Sequence, residues 1–366
     1  EMTSSLVGSE MCIRDRLCLN MYEDNQDYLK YCLKLSKAVK LSAQRLLLQN
    51  RDVRFEDLYW QAVKFEAPHL FDSYLLYLER KRLEQDRFYS PKRKQLNKHG
   101  LIQSLQDMED DKLDILSISM PPGTQKTTLE KFFCSWIIGR HPDDFSLFFS
   151  HSGDITRMFY DGVMDITTNS DEYCWQEIFP DVKFHSTNAK RETINFNKYK
   201  PFSNIQCTSV GSKNAGKVRA NRYLYCDDLI GGIEEALNKN ILDKLWRIYG
   251  TDAKQRKMDG CKEIHIATRW SVHDVIGRLI DIYEGNDKAR FIAIPDIDPV
   301  TGESNFDYKY NGFSVKFFHD QELTMDEISY KCLYKNEPIE REGLLYTDEE
   351  LRRFITLPLG CLLYTS

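Results

Sequence analysis

No stretch of this sequence approaches the roughly 20 consecutive apolar residues that a membrane-spanning helix requires. Even the run from Phe132 to Gly139 is short and closes on Arg140 and His141. A cytosolic protein with no membrane contact is therefore expected. Cysteine pairing is lacking as well. The ten cysteines (Cys12, Cys18, Cys32, Cys134, Cys174, Cys207, Cys226, Cys261, Cys332 and Cys361) form no C-x-x-C pair, and no histidine stands at zinc-ligand spacing. Reduced, buried thiols are expected in place of a disulfide or zinc framework. Net positive charge is missing too, the formal balance being -6. From Leu17 onward there is no proline until Pro68, so nothing in that stretch forbids long helices.

What is present describes a folded chain. Hydrophobic residues make up 42%, charged residues 29% and aromatic residues 12% of the 366 positions, which excludes a largely disordered protein. The length predicts one large domain with appendages, or two domains. Two terminal segments do not look like parts of a natural protein. Residues 4 to 16 (SSLVGSEMCIRDR) and 361 to 366 (CLLYTS) resemble translations of sequencing adapters. Residues 1–16 and 359–366 are expected to be non-native and are set aside.

Between Leu17 and Leu83 the apolar residues fall at helical spacing (Leu29, Cys32, Leu33, Leu35, Val39, Leu41), which predicts a helical N-terminal lobe over residues 17–88. The pattern then changes. Short apolar runs at Leu113–Met120, Phe145–Ser150, Ile205–Val210, Tyr223–Cys226, Glu263–Ala267 and Phe291–Ile294 are separated by helical segments. Strands alternating with helices predict an α/β fold over residues 89–358, with a mostly parallel sheet covered by helices on both faces. The Pro/Gly/Asn/Asp-rich stretch Asp296–Gly312 predicts an exposed hairpin or loop. Residues Asp326–Leu333 and Asp348–Phe354 predict short surface helices on the way out of the domain, an exit segment beginning near residue 313.

Charge is distributed unevenly. Between Lys183 and Arg222 nine basic residues stand against the single acid Glu192, a local balance of +8 in an acidic chain. Over a Debye length of about 8 Å such a cluster sets its own potential. A polyanion is the natural partner, and Lys190, Arg191, Lys198, Lys200, Lys213, Lys217 and Arg219 are the candidate contacts. A solvated basic surface loop is the alternative.

The strongest local signal is Met120-Pro121-Pro122-Gly123-Thr124-Gln125-Lys126-Thr127-Thr128, lying between a strand and an amphipathic helix. A phosphate-binding loop needs that setting: backbone N–H groups and a helix N-terminus converge on phosphate, a lysine meets the outer oxygens, and a hydroxyl binds magnesium. Residues Pro121 to Thr128 are the candidate nucleotide contacts, with Lys126 on phosphate and Thr127 on metal. Met120 and Gln125 replace the two glycines of G-x-x-x-x-G-K-[ST], and a side chain at position 125 predicts local backbone strain.

About 100 residues later the apolar run Tyr223-Leu224-Tyr225-Cys226 ends in Asp227-Asp228. A central strand ending in two acids delivers them to the carboxyl edge of the sheet, where open α/β folds bind ligands. Asp227 is expected to hold hydrated magnesium and Asp228 to act as general base. A third strand runs from Ile264 into Thr268-Arg269-Trp270. It brings a hydroxyl and a guanidinium to the same edge, where they could sense the terminal phosphate. His265 within that strand reads as a core or pocket histidine, not a ligand.

The motifs MPPGTQKTT, YLYCDD and ATRW, in this order, resemble the ATPase domain of the large terminase subunit, the DNA-packaging motor of tailed bacteriophages. The likeness runs from about Tyr89 to Leu357 and includes Tyr334-Lys335-Asn336-Glu337-Pro338 and Gly343-Leu344-Leu345-Tyr346. It implies an ASCE-type P-loop fold and a motor that hydrolyses ATP with Mg2+ to translocate double-stranded DNA in the host cytoplasm. Its implied partners are a portal protein, a small terminase subunit and further copies of the chain in a ring. Carried over by position, it implies a coupling motif at Thr268-Arg269 and an arginine finger at Arg157, a group that can be worth about 10³ to 10⁵ in rate. It also implies weaker adenine contacts at Tyr89, Arg93 and Gln95. A nuclease domain of the kind complete members carry is expected beyond this chain. Two other readings stay open: a helicase-like, nucleic-acid-dependent ATPase, and a scaffold that binds nucleotide without turnover.

Overall fold

The structure, a computed structural model, describes residues 26–49, 52–212 and 218–338. The adapter-like ends, Lys213, Lys217, the stretch Gly343 to Tyr346 and the helix expected at Asp348–Phe354 lie outside the described residues.

Eight strands form one sheet: β1 (Ile115–Ser119), β2 (Ser146–Ser150), β3 (Phe184–Asn188), β4 (Thr193–Phe196), β5 (Ile205–Ser209), β6 (Tyr223–Asp227), β7 (Lys262–Ile266) and β8 (Ala289–Ala293). Their order across the sheet is β3-β4-β5-β2-β6-β7-β1-β8. From β5 to β8 every pairing is parallel, and β3 and β4 are added antiparallel at one edge. Strands β1, β2, β6 and β7 are buried at every position. That explains why their sequences run apolar without alternation, since helices cover both faces.

The position of β7 is diagnostic. It is inserted between β1, which runs into the phosphate-loop sequence, and β6, which ends in the twin aspartates. This is the arrangement of ASCE-type P-loop NTPases. Because β1, β2, β6 and β7 are parallel, the segments that follow them all emerge at one edge.

All six strands expected from apolar runs are present. The β3–β4 hairpin was not anticipated because β3 (Phe-His-Ser-Thr-Asn) is exposed or half-exposed at every position and carries no apolar alternation to read. Segment 296–312 is less exposed than its composition suggests, with Asn305, Phe306 and Tyr308 buried. Phe306 and Tyr308 join the main core together with Phe318 of the helix Val315–Thr324, an element that sequence patterning does not reveal. The Asp326–Leu333 expectation corresponds to a helix Glu327–Tyr330 that continues into a π turn, Lys331–Lys335, with Tyr330 and Cys332 buried.

The helical N-terminal region is present as an antiparallel pair, Gln26–Gln49 and Val53–Glu66, joined to a third helix, Phe71–Leu78. Asp52 caps the second helix by accepting from Arg54 N–H, the role expected of an acid at that position. The third helix has seven of its eight residues buried. Phe71 packs edge-on to Phe133 at 5.3 Å and against Trp136 at 5.2 Å, so this helix belongs to the core that supports the phosphate-loop helix.

One buried charge cluster ties the same core together. Glu109, whose side chain is 1% exposed, receives Arg140, His141 and Arg222. Burial alone would raise its carboxyl, but His141, Arg140 and Arg222 overcome that and hold it at about 2. Because the folded value lies below the ordinary 4.5, the cluster stabilises fully above that pH. Its contribution is lost as pH falls from there towards 2. Glu109→Gln is expected to cost about 2 to 3 kcal/mol at neutral pH, below the 3 to 5 of a fully buried pair because both arginines keep some solvent. Urea denaturation at pH 7 and pH 3 checks this: the difference between parent and variant must shrink at the lower pH.

Candidate nucleotide site

The candidate phosphate loop follows β1 and ends in the helix Lys126–Arg140. Its N-cap, Gln125, sits in the left-handed region at φ 66, ψ 34 and makes no side-chain cap. The strain expected at the missing glycine is therefore present in the backbone. An uncapped helix start leaves N–H groups directed outward, and an anion is their natural acceptor. Gly123 is also left-handed, at φ 77, and a Cβ there would stand 3.2 Å from Phe313. Glycine is required at this one position for both reasons. Pro121 and Thr124 face inward, where the Thr124 hydroxyl donates to the Pro121 carbonyl at 2.7 Å and closes the loop. Met120, in place of the first glycine, is buried and offers its carbonyl to Lys126 Nζ at 3.4 Å. Thr128 lies in the first turn of the helix.

The loop meets the twin aspartates directly. Thr127 Oγ1 donates to Asp227 Oδ2 at 2.8 Å, and Lys126 Nζ stands 3.9 Å from Asp228 Oδ2. Thr268 joins the two sides. Its hydroxyl accepts from Lys126 Nζ at 3.0 Å, and its backbone N–H donates to Asp228 Oδ1 at 3.0 Å. Adjacent acids on a strand point to opposite faces, yet both meet the loop, Asp227 buried against Thr127 and Asp228 at the crevice wall. The reason is Asp228, whose φ of 38 turns the chain just past the end of β6. His151, at the end of β2, holds that turn through its backbone N–H and its ring Nδ1, both on the Asp228 carbonyl.

Beside them opens a cavity of about 400 Å³ lined by Pro122, Gly123, Gln125, Lys126, Thr127, His151, Asp228, Thr268 and Trp270 together with Ile230 to Gly232; Asp227 is not part of its wall. That volume is within the range of small-molecule sites. Asp227 is fully buried, and burial beside Asp228 pushes its carboxyl up to about 7 despite the Thr127 hydrogen bond. Its Oδ1 is buried without a hydrogen-bond partner. A carboxylate with a free oxygen next to a hydroxyl is the hard-oxygen donor set magnesium prefers, so the residues fit that ion. Behind Asp227, both carboxyl oxygens of Glu130 are buried without a partner, and burial followed by the two aspartates raises this acid well above its ordinary range.

Other sequence candidates are placed elsewhere. Arg269 turns back from the cavity to pair with Asp274, the N-cap of the helix Val275–Ile282. Arg157 lies exposed on the helix Gly153–Thr168, paired with Asp161 at 2.9 Å and donating to the Ala189 carbonyl at 3.0 Å. Tyr89 and Arg93 both engage Asp72, and Gln95 donates to the Asp307 carbonyl. None of these residues lines the cavity. His265 is buried beside Glu263, as a core histidine. In the basic segment, Lys190 and Arg191 are exposed at the β3–β4 turn, and Lys198 is exposed beside Asp143. Lys200 is buried and donates to the Pro142 carbonyl and Asn204. Arg219 is exposed and donates to the Gln255 carbonyl, and Arg222 is taken up by Glu109. Sequence reasoning assigns no role to His151 or to the turn at Ile230–Gly232, and none to Trp270 beyond its place in the third motif. The available signal is their position just after strands of the same parallel set.

Solved structures that match this one in part include a mutant of the ATPase domain of the Thermus phage P74-26 large terminase. The match has a TM-score of 0.44 and 8% identity, covering 64% of this chain and 93% of that one. The HK97 bacteriophage large terminase matches at TM-score 0.40 and 12% identity, over 62% of this chain and 44% of that one. No protein-family profile and no curated protein sequence matches the chain. Strand order and the crevice at the sheet edge define the fold independently of those matches.

Proposed function

We propose that this chain is an ATP-hydrolysing motor of the DNA-packaging terminase kind. The observation that carries the hydrolytic part is the meeting of Lys126, Thr127, Asp228 and Thr268 around one cavity, with Asp227 buried against Thr127 just behind it. Lys126 and the N–H groups of the loop would bind the outer phosphates, with Thr268 holding the ammonium in position. Thr127 and Asp227 would hold magnesium, whose charge offsets that of the phosphates. Asp228, aimed by His151 and the Thr268 N–H, would accept a proton from the attacking water. Release of phosphate from ATP, dependent on magnesium, tests this reading; binding without release would favour the scaffold alternative.

The motor part of the reading rests on the order of the three motifs and on the exposed basic residues at one sheet edge. Double-stranded DNA would run along the β3–β4 hairpin, gripped through phosphate by Lys190, Arg191 and Lys198. Portal protein, small subunit and further copies of the chain would complete the assembly in the host cytoplasm, with Arg157 leaving Asp161 to act on a neighbouring copy. Among the described residues no helix is long and apolar enough to cross a membrane. Replacing Lys190, Arg191 and Lys198 together by alanine is expected to lower the slope of log affinity against log salt by about 2 to 3, close to 0.9 for each DNA phosphate no longer neutralised. A slope left unchanged would remove the hairpin from the DNA path.

A further inference from the structure

Gln125 occupies a backbone conformation that glycine adopts freely and other residues adopt rarely. Something must hold it there, and the structure offers one candidate. Lys92, on the helix Tyr89–Lys98, is 4% exposed and donates through Nζ to Gln125 Oε1. Its ammonium lies 4.5 Å from the centre of the Phe88 ring and 5.3 Å from that of Tyr308. A buried cation wedged between two rings has little freedom to follow a moving partner, so it fixes the amide that reaches it. Burial lowers the Lys92 ammonium to about 8, partly offset by Glu79, which marks how much solvation has been given up at this contact.

We propose that Lys92 is a positioning residue of the phosphate loop, holding Gln125 by its side-chain carbonyl in the left-handed conformation that the missing glycine would otherwise supply. At Gly123, the other left-handed residue of the loop, a Cβ would stand 3.2 Å from Phe313, so there glycine itself meets the requirement that Gln125 meets through an outside contact. Lys92 does not line the cavity; it acts through Gln125. This inference rests on the nucleotide reading of the site.

The test is a double-mutant cycle read with a fluorescent ATP analogue and magnesium. Lys92→Met alone is expected to raise the Kd about tenfold, the cost of one unsupported left-handed residue. In a Gln125→Gly background, where no support is needed, the same substitution is expected to change Kd less than about twofold, a non-additive result. An equal loss in both backgrounds overturns the proposal, because Lys92 would then act on nucleotide directly or only through the fold. Thermal melting of the four proteins supplies a second readout: the melting penalty of Lys92→Met must also be smaller in the glycine background. Should the parent bind no analogue at all, the nucleotide reading fails, while the melting cycle still decides whether Lys92 supports Gln125.

Discussion

Asp228→Asn is expected to slow magnesium-dependent phosphate release by about 10³-fold while leaving ATP bound, since general-base catalysis is worth about 10² to 10⁴. The asparagine keeps the size of the side chain and can still accept the Thr268 N–H, a bond of 3.0 Å in the parent, so the turn at φ 38 has no reason to relax. What is lost is the negative charge facing Lys126 and the capacity to take a proton. Single-turnover phosphate release together with equilibrium binding separates these effects. A variant that hydrolyses ATP within tenfold of the parent would show that Asp228 is not the base.

Lys126→Ala is expected to have the opposite profile, losing binding as well as turnover. Lys126 is buried to 8% exposure, and its ammonium is held by the Met120 carbonyl and the Thr268 hydroxyl. A preorganised donor of this kind contributes about 10² to 10³ to rate. Removing it also takes away the cation that faces Asp228, leaving two acids beside an anionic ligand. Calorimetric titration with ATP should show affinity lost outright, and phosphate release at any attainable ATP concentration should fall by at least about 10³. Retained affinity would mean that the loop N–H groups alone bind phosphate and that Lys126 is a lesser contributor than its position suggests.

Several features of this site were written in local sequence. The apolar runs marked six strands because strands covered on both faces need no alternation. The loop could be found from Pro121 to Thr127 because a lysine and a hydroxyl opening a helix after a buried strand have few other uses. The misfit at Gln125 was legible too, since a side chain at a position needing φ > 0 predicts strain wherever the rest of the chain lies. By contrast, β3 has no pattern because it is an edge strand exposed along its length. The basic segment looked continuous in sequence, yet Lys200 and Arg222 are drawn into the structure by a carbonyl and a carboxylate from distant segments.

By itself, the sequence determined which groups could do chemistry and on which strand ends they stand, because strand, turn and helix-start preferences act over a few residues. Tertiary structure decided what those groups face. It brought Thr127 to Asp227 across 100 residues of chain. It also set Lys92 against Gln125 from another helix. Such pairings depend on how the sheet orders its strands and on which charges burial forces to find partners, and neither is encoded in any short stretch of residues.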